Sequence, residues 1–108
     1  MNIKFNFKIL KIHAKISFQQ ASVQLMQACN LYQESVKKLN MLILYEKEYR
    51  LSLQENMIKY GLEINVWHNY QVFLICLNNL IFDYNKEVNN YKLQLNKAKN
   101  YWKKKKIN

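Results

Sequence analysis

The chain has 108 residues, with 17 Lys and Arg against 7 Asp and Glu, and a formal net charge of +10. That length is enough for one domain but small for an enclosed core. No proline and a single glycine, Gly61, exclude a glycine-rich phosphate loop and leave very long helices unopposed.

Met1 to Phe18 mixes apolar and basic residues, and Lys4, Lys8, Lys11 and Lys15 break any secretory apolar run. These lysines fall on one helical face beside Phe5, Ile9, Ile12 and Ile16, an arrangement that suits a membrane surface. Ile3, Phe5, Phe7 and Ile9 also alternate with period two, so the basic segment 1–11 is left without an assigned element. A first helix is predicted over residues 12–60. Its stripe is Leu25, Cys29, Tyr32, Val36, Leu39 and Ile43. The stripe then meets Glu46 and Arg50 while apolar residues pass to Leu42, Tyr45, Tyr49 and Leu53, so the seam is expected to shift or widen there. Residues 61–65 read as a turn, with Gly61 as a left-handed cap and Asn65 as the N-cap of the next helix. The second helix is predicted over 66–104. From Tyr70 its apolar residues run Leu74, Leu77, Ile81, Tyr84, Val88, Tyr91, Leu95, Ala98 and Trp102, in alternating steps of four and three. That alternation is a coiled-coil seam. The longest apolar run, Val72 to Leu77, is far short of the roughly 20 residues needed to span a bilayer.

Two such helices with a short link fold back antiparallel, so the predicted class is all-α: one domain over 1–108, a long antiparallel two-helix coiled-coil hairpin. Facing residues should then have numbers summing to about 125, in a rod about 60 Å long. Cys29 and Cys76 would lie about 30 Å apart, which forbids a disulfide within the hairpin. They also lack metal-ligand spacing, and a reducing cytoplasm is the default compartment. The register places Leu42, Tyr45 and Tyr49 beside Phe73, Leu77, Leu80 and Tyr84, more apolar surface than a two-helix seam needs. Phe73 lies one position off the seam line. Either these residues widen the seam or bury against the N-terminal segment, or they form an exposed patch of the kind that marks a binding site.

Charge is divided unevenly. Residues 1–17 carry +4, residues 18–91 carry −1, and residues 92–108 carry +7. In a hairpin both basic segments share the end opposite the turn, which fits an electrostatic anchor or simply a solvated tail over Lys103 to Lys106. Abundant Lys, Asn, Ile and Tyr also fit the codon bias of an AT-rich genome. The central helices lack a basic stripe, so nucleic acid is not an expected partner. His13 and His68 have no neighbours at ligand or triad spacing, and Glu46 and Glu48 point to different helix faces. No catalytic residue, metal site or cofactor is predicted, and the chain is not expected to be an enzyme.

The block from Leu39 to Trp102 resembles the FliJ family of flagellar export proteins. The resemblance rests on Leu39, Met41-Leu42-Ile43, Tyr45, Glu48-Tyr49-Arg50, Leu53, Met57, Gly61, Trp67, Asn69-Tyr70-Gln71, Phe73, Leu77, Gln94 and Trp102. It implies a stalk-like antiparallel coiled coil in the flagellar type III export apparatus, cytoplasmic and peripheral at the inner membrane. The implied partners are the export ATPase with its regulator, the large transmembrane export-gate subunit, and export chaperones. Carried over by position, Leu42, Tyr45, Tyr49, Phe73 and Leu77 would meet the gate, while Lys99, Lys103, Lys104, Lys105 and Lys106 would serve the ATPase end. Relatives usually carry a longer charged helix beyond Trp102, so a weakened ATPase contact with a surviving gate contact is expected; Leu80 and Tyr84 also replace the usual residue types. The alternative is a generic coiled-coil scaffold that self-associates through its 4-3 stripes.

Overall fold

A computed structural model describes residues 3–61 and 63–106. The chain forms two α-helices, α1 (Ile3–Tyr60) and α2 (Ile64–Lys105), with no strand among the described residues. The all-α hairpin read from the sequence is the fold of the molecule. Helix α1 begins at Ile3, so the segment left open over 3–11 is helical; residues 1 and 2 lie outside the described residues. The period-two alternation there loses to 3.6-residue periodicity, which also groups the four lysines on one face.

Gly61 ends α1. Its φ is +63°, and its N–H donates to the Met57 carbonyl at 3.2 Å, the single bond that closes a left-handed helix cap. The turn is shorter than the 61–65 expected. Trp67 N–H donates to the Glu63 carbonyl at 2.9 Å, so Glu63 rather than Asn65 is the N-cap and both Ile64 and Asn65 are already helical. Leu62, part of the expected turn, lies outside the described residues. Lys59 in the last turn of α1, and Lys103, Lys104 and Lys105 in that of α2, sit where the helix dipole favours cations.

Two compact units divide the chain, one of residues 1–33 with 90–108 and one of residues 34–89. Each pairs a segment of α1 with a segment of α2. In the second unit Tyr49 meets Tyr70 and Phe73 while Tyr45, a turn earlier, meets Phe73 again, which fixes an antiparallel direction. In the first, Phe18 packs on Trp102. The facing numbers sum to slightly less than the expected 125, as a shorter turn requires.

Burial along α2 follows the predicted stripe at every position from Tyr70 to Trp102, with Leu74 and Leu77 the most enclosed. Along α1 it corrects the prediction. The protected positions run Phe18, Ala21, Leu25, Ala28, Tyr32, Ser35, Leu39, Leu42, Glu46, Tyr49, Leu53 and Asn56, an unbroken alternation of three and four. The seam does not shift before the turn, and Ile43, placed in it by the sequence reading, is exposed. The small Ala28 and the polar Ser35, Glu46 and Asn56 occupy seam positions, so a search for large apolar letters drifts off the true line. Cys29 and Val36 flank it, half-buried.

Candidate partner-binding site

The segment Met41–Arg50 lies wholly within α1, where it has no proline or glycine to interrupt it. Its seam residues Leu42, Glu46 and Tyr49 turn toward α2, which leaves Met41, Leu44 and Tyr45 on the outer flank. Glu46 is held in the seam with its side chain only 16% exposed, and Arg50 Nε donates to its carboxylate at 3.3 Å.

Three aromatic rings gather around that of Tyr49. Its ring centroid lies 4.5 Å from Phe73, 5.3 Å from Tyr70 and 6.3 Å from Tyr45, and Tyr45 meets Phe73 edge-on at 6.4 Å. These separations are those of favourable tilted and edge-to-face ring pairs. Burial raises the Tyr49 phenol above the usual tyrosine value, and the neighbouring Tyr70 and Tyr45 phenols add to this. Tyr49 is thus the half-buried hub, while Tyr45 keeps 50% and Phe73 38% of its surface in water.

The five residues carried over for a gate contact therefore divide. Tyr45 and Phe73 are exposed and touch each other; Tyr49 and Leu42 are half-buried beside them. Leu77 is 7% exposed and belongs to the seam, so it supports the surface from beneath. Next to the rings lies a shallow apolar groove of about 550 Å³, walled by Met41, Leu42, Leu44, Tyr45, Leu80 and Tyr84, with Lys38 and Glu48 at its rim. Met41 and Leu44 have no site role in the sequence reading. Their signal is present in the chain, because Met41, Leu44 and Tyr45 at i, i+3 and i+4 form an apolar row off the seam.

In the other unit, Trp102 fastens α2 to α1. Its indole N–H donates to Ser22 Oγ at 3.0 Å, its ring lies 5.7 Å from that of Phe18, and Ser22 Oγ in turn donates to the Phe18 carbonyl at 2.9 Å. Lys106 Nζ sits 5.3 Å from the Trp102 ring, and Lys105 Nζ 5.6 Å from that of Tyr101. Lys99, Lys103, Lys104, Lys105 and Lys106 are all exposed in this unit and give it a cationic surface.

Among the described residues no group of three or more His, Cys, Asp and Glu side chains is placed to hold a metal ion. No described helix is long and apolar enough to cross a membrane. The arrangement offers ring faces, an apolar groove and ammonium groups, which is the chemistry of macromolecular contact.

The family of flagellar FliJ proteins matches residues 4–108. The flagellar FliJ protein of Escherichia coli (strain K12) is 35% identical over 74 residues, which cover 68% of this chain and 50% of that protein. The chain thus matches about half the length of this curated relative. No solved structure matches the chain.

Proposed function

Because the chain belongs to the flagellar FliJ family, we propose that it is a non-enzymatic component of the flagellar type III export apparatus, a stalk that couples the export ATPase to the transmembrane export gate. The observation that carries this reading is the exposed pair Tyr45 and Phe73 over the Tyr49 hub. Both rings pack across the two helices, yet each still leaves a large part of its surface in water, more than a two-helix seam needs, and rigid aromatic rings beside an apolar groove are typical anchors of a protein interface. In this reading Tyr45 and Phe73 contact the gate subunit directly, Leu42 and Tyr49 form the floor of the contact, and Leu77 holds that floor in place. Lys99 and Lys103 to Lys106 contact acidic residues of the ATPase or its regulator. Export chaperones are further partners. The protein works in the cytoplasm, peripheral to the inner membrane.

The test is a binding titration against the cytoplasmic portion of the cognate gate subunit, with helicity followed by circular dichroism. Tyr45→Ala with Phe73→Ala should weaken binding at least about tenfold while helicity is kept, since both side chains are exposed and hot-spot rings commonly contribute about 2 kcal/mol or more. Leu77→Ala is the wrong probe, because its loss would act through seam packing. Wild-type protein that ignores the gate subunit but gains mass with concentration would replace the stalk with a self-associating scaffold.

A further inference from the structure

The unit of residues 1–33 and 90–108 holds four lysines in its first segment and seven in its second, and not one Asp or Glu. The other unit carries six basic and seven acidic residues. Codon bias toward Lys explains an excess of lysine but not its phase. At 100° per residue, Lys4, Lys8, Lys11 and Lys15 fall within an arc of about 60° on α1. Phe5, Ile9, Ile12 and Ile16, each one residue later, occupy an equally narrow arc about 100° further round. Each of those four apolar side chains keeps about half its surface in water.

The apolar row also points away from α2. The side of α1 that packs on α2 is marked by Phe18, against Trp102, and by the fully buried Ala21, and it lies about 180° round the helix from the row. Packing within the unit therefore leaves the row uncovered. The four α1 lysines line one side of it; toward α2, Leu10, His13, Ala14 and Ser17 share a separate surface hollow with the α2 residues Lys104 and Lys105.

We propose that residues 3–16 of α1 lie on the surface of an anionic lipid bilayer. Phe5, Ile9, Ile12 and Ile16 enter the boundary between headgroups and acyl chains, and the flanking lysines reach lipid phosphates. Two features select this occupant. An apolar row edged by long cationic side chains is the pattern of a helix lying in a membrane interface, where lysine stems run along the apolar layer and their ammonium groups stay at headgroup level. A unit without a single carboxylate side chain meets no repulsion from an anionic leaflet, and each lysine near that surface adds attraction. A nucleic acid would be served by the lysines alone and would leave the apolar row in water. The proposal goes beyond the stalk reading and does not depend on the aromatic cluster of the other unit.

The experiment is flotation of the full chain with phosphatidylcholine vesicles, with and without phosphatidylglycerol, beside a titration with single-stranded RNA. Wild-type protein should float with the anionic vesicles and stay behind with the zwitterionic ones. Ile9→Gln with Ile12→Gln, which leaves every charge in place, should weaken vesicle binding by about tenfold or more. A Phe5→Trp variant supplies a readout that does not depend on that pair. Its added fluorescence should shift to the blue on anionic vesicles and be quenched by lipids brominated near the headgroup. Vesicle binding unchanged by the double substitution, an introduced indole whose emission ignores lipid, or RNA bound more tightly than anionic vesicles would overturn the proposal.

Discussion

At Gly61 the backbone occupies φ +63°, a conformation that costs a residue with a Cβ roughly 1–2 kcal/mol. A Cβ built there would meet nothing within 4 Å, so the requirement for glycine is conformational rather than steric. Gly61→Ala should therefore lower stability by about 1 kcal/mol in a denaturant melt, with the midpoint moving and the slope unchanged. The position is legible from the sequence because it holds the chain's one glycine. The residues after it are not: Asn65 has the side chain of an N-cap, yet Glu63 takes the role through its backbone carbonyl. Cap preference is a side-chain statistic, and here the tight turn decides. Leu77 carries a different lesson: its place in the 4-3 stripe of α2 already assigns it to the seam, and its burial agrees, so a direct contact role comes only from the residue-by-residue resemblance.

Helix α2 is readable at every seam position because nearly all of its seam residues are apolar. Helix α1 is not, because Ser35, Glu46 and Asn56 stand in its seam, Ala28 adds little apolar bulk there, and apolar neighbours such as Ile43 stand outside it. Polar residues at such positions fix register at a cost in stability. Glu46 shows the balance most clearly: its carboxylate is mostly shielded from water and its pairing with a half-exposed Arg50 offsets little of that cost. Glu46→Leu should raise stability by about 1 kcal/mol, read as a higher thermal midpoint, because it replaces a desolvated charge with a side chain the seam can pack. A lower midpoint would mean that the Glu46–Arg50 pair contributes more than its exposure suggests. The same drift in phase explains why the candidate site is only partly legible. The rings of Tyr45, Tyr49 and Phe73 are identifiable, whereas the groove wall formed by Met41 and Leu44 becomes visible only once the true seam is known.

For the whole molecule, charge opposes folding. The chain carries a formal net charge of +10, and the ion pairs found among its described side chains, Arg50 with Glu46 and Lys59 with Glu55, each lie within one helix at exposed or partly exposed positions. Such pairs contribute at most about 0.5 kcal/mol each. Repulsion among eleven lysines in a unit with no carboxylate side chain is the larger electrostatic term. Added salt, which shortens the Debye length to about 8 Å near physiological strength, screens that repulsion. The thermal midpoint should accordingly rise between low and moderate sodium chloride, whereas a fold held together by ion pairs would melt earlier. The charge division itself is plain in the sequence; that it coincides with the boundary between two packing units is not, since that boundary comes from contacts far apart along the chain.

The two tryptophans fall one to each unit, Trp67 in residues 34–89 and Trp102 in residues 90–108. Trp102 is hydrogen-bonded and half-buried, while Trp67 stands 41% exposed in the first turn of α2. Each half thus carries its own intrinsic optical probe. With Trp67→Phe, emission reports the melting of the lysine-rich half alone; with Trp102→Phe, it reports the aromatic half. Superimposable curves would mark a single cooperative folding unit, and separated curves would mark two that unfold in turn.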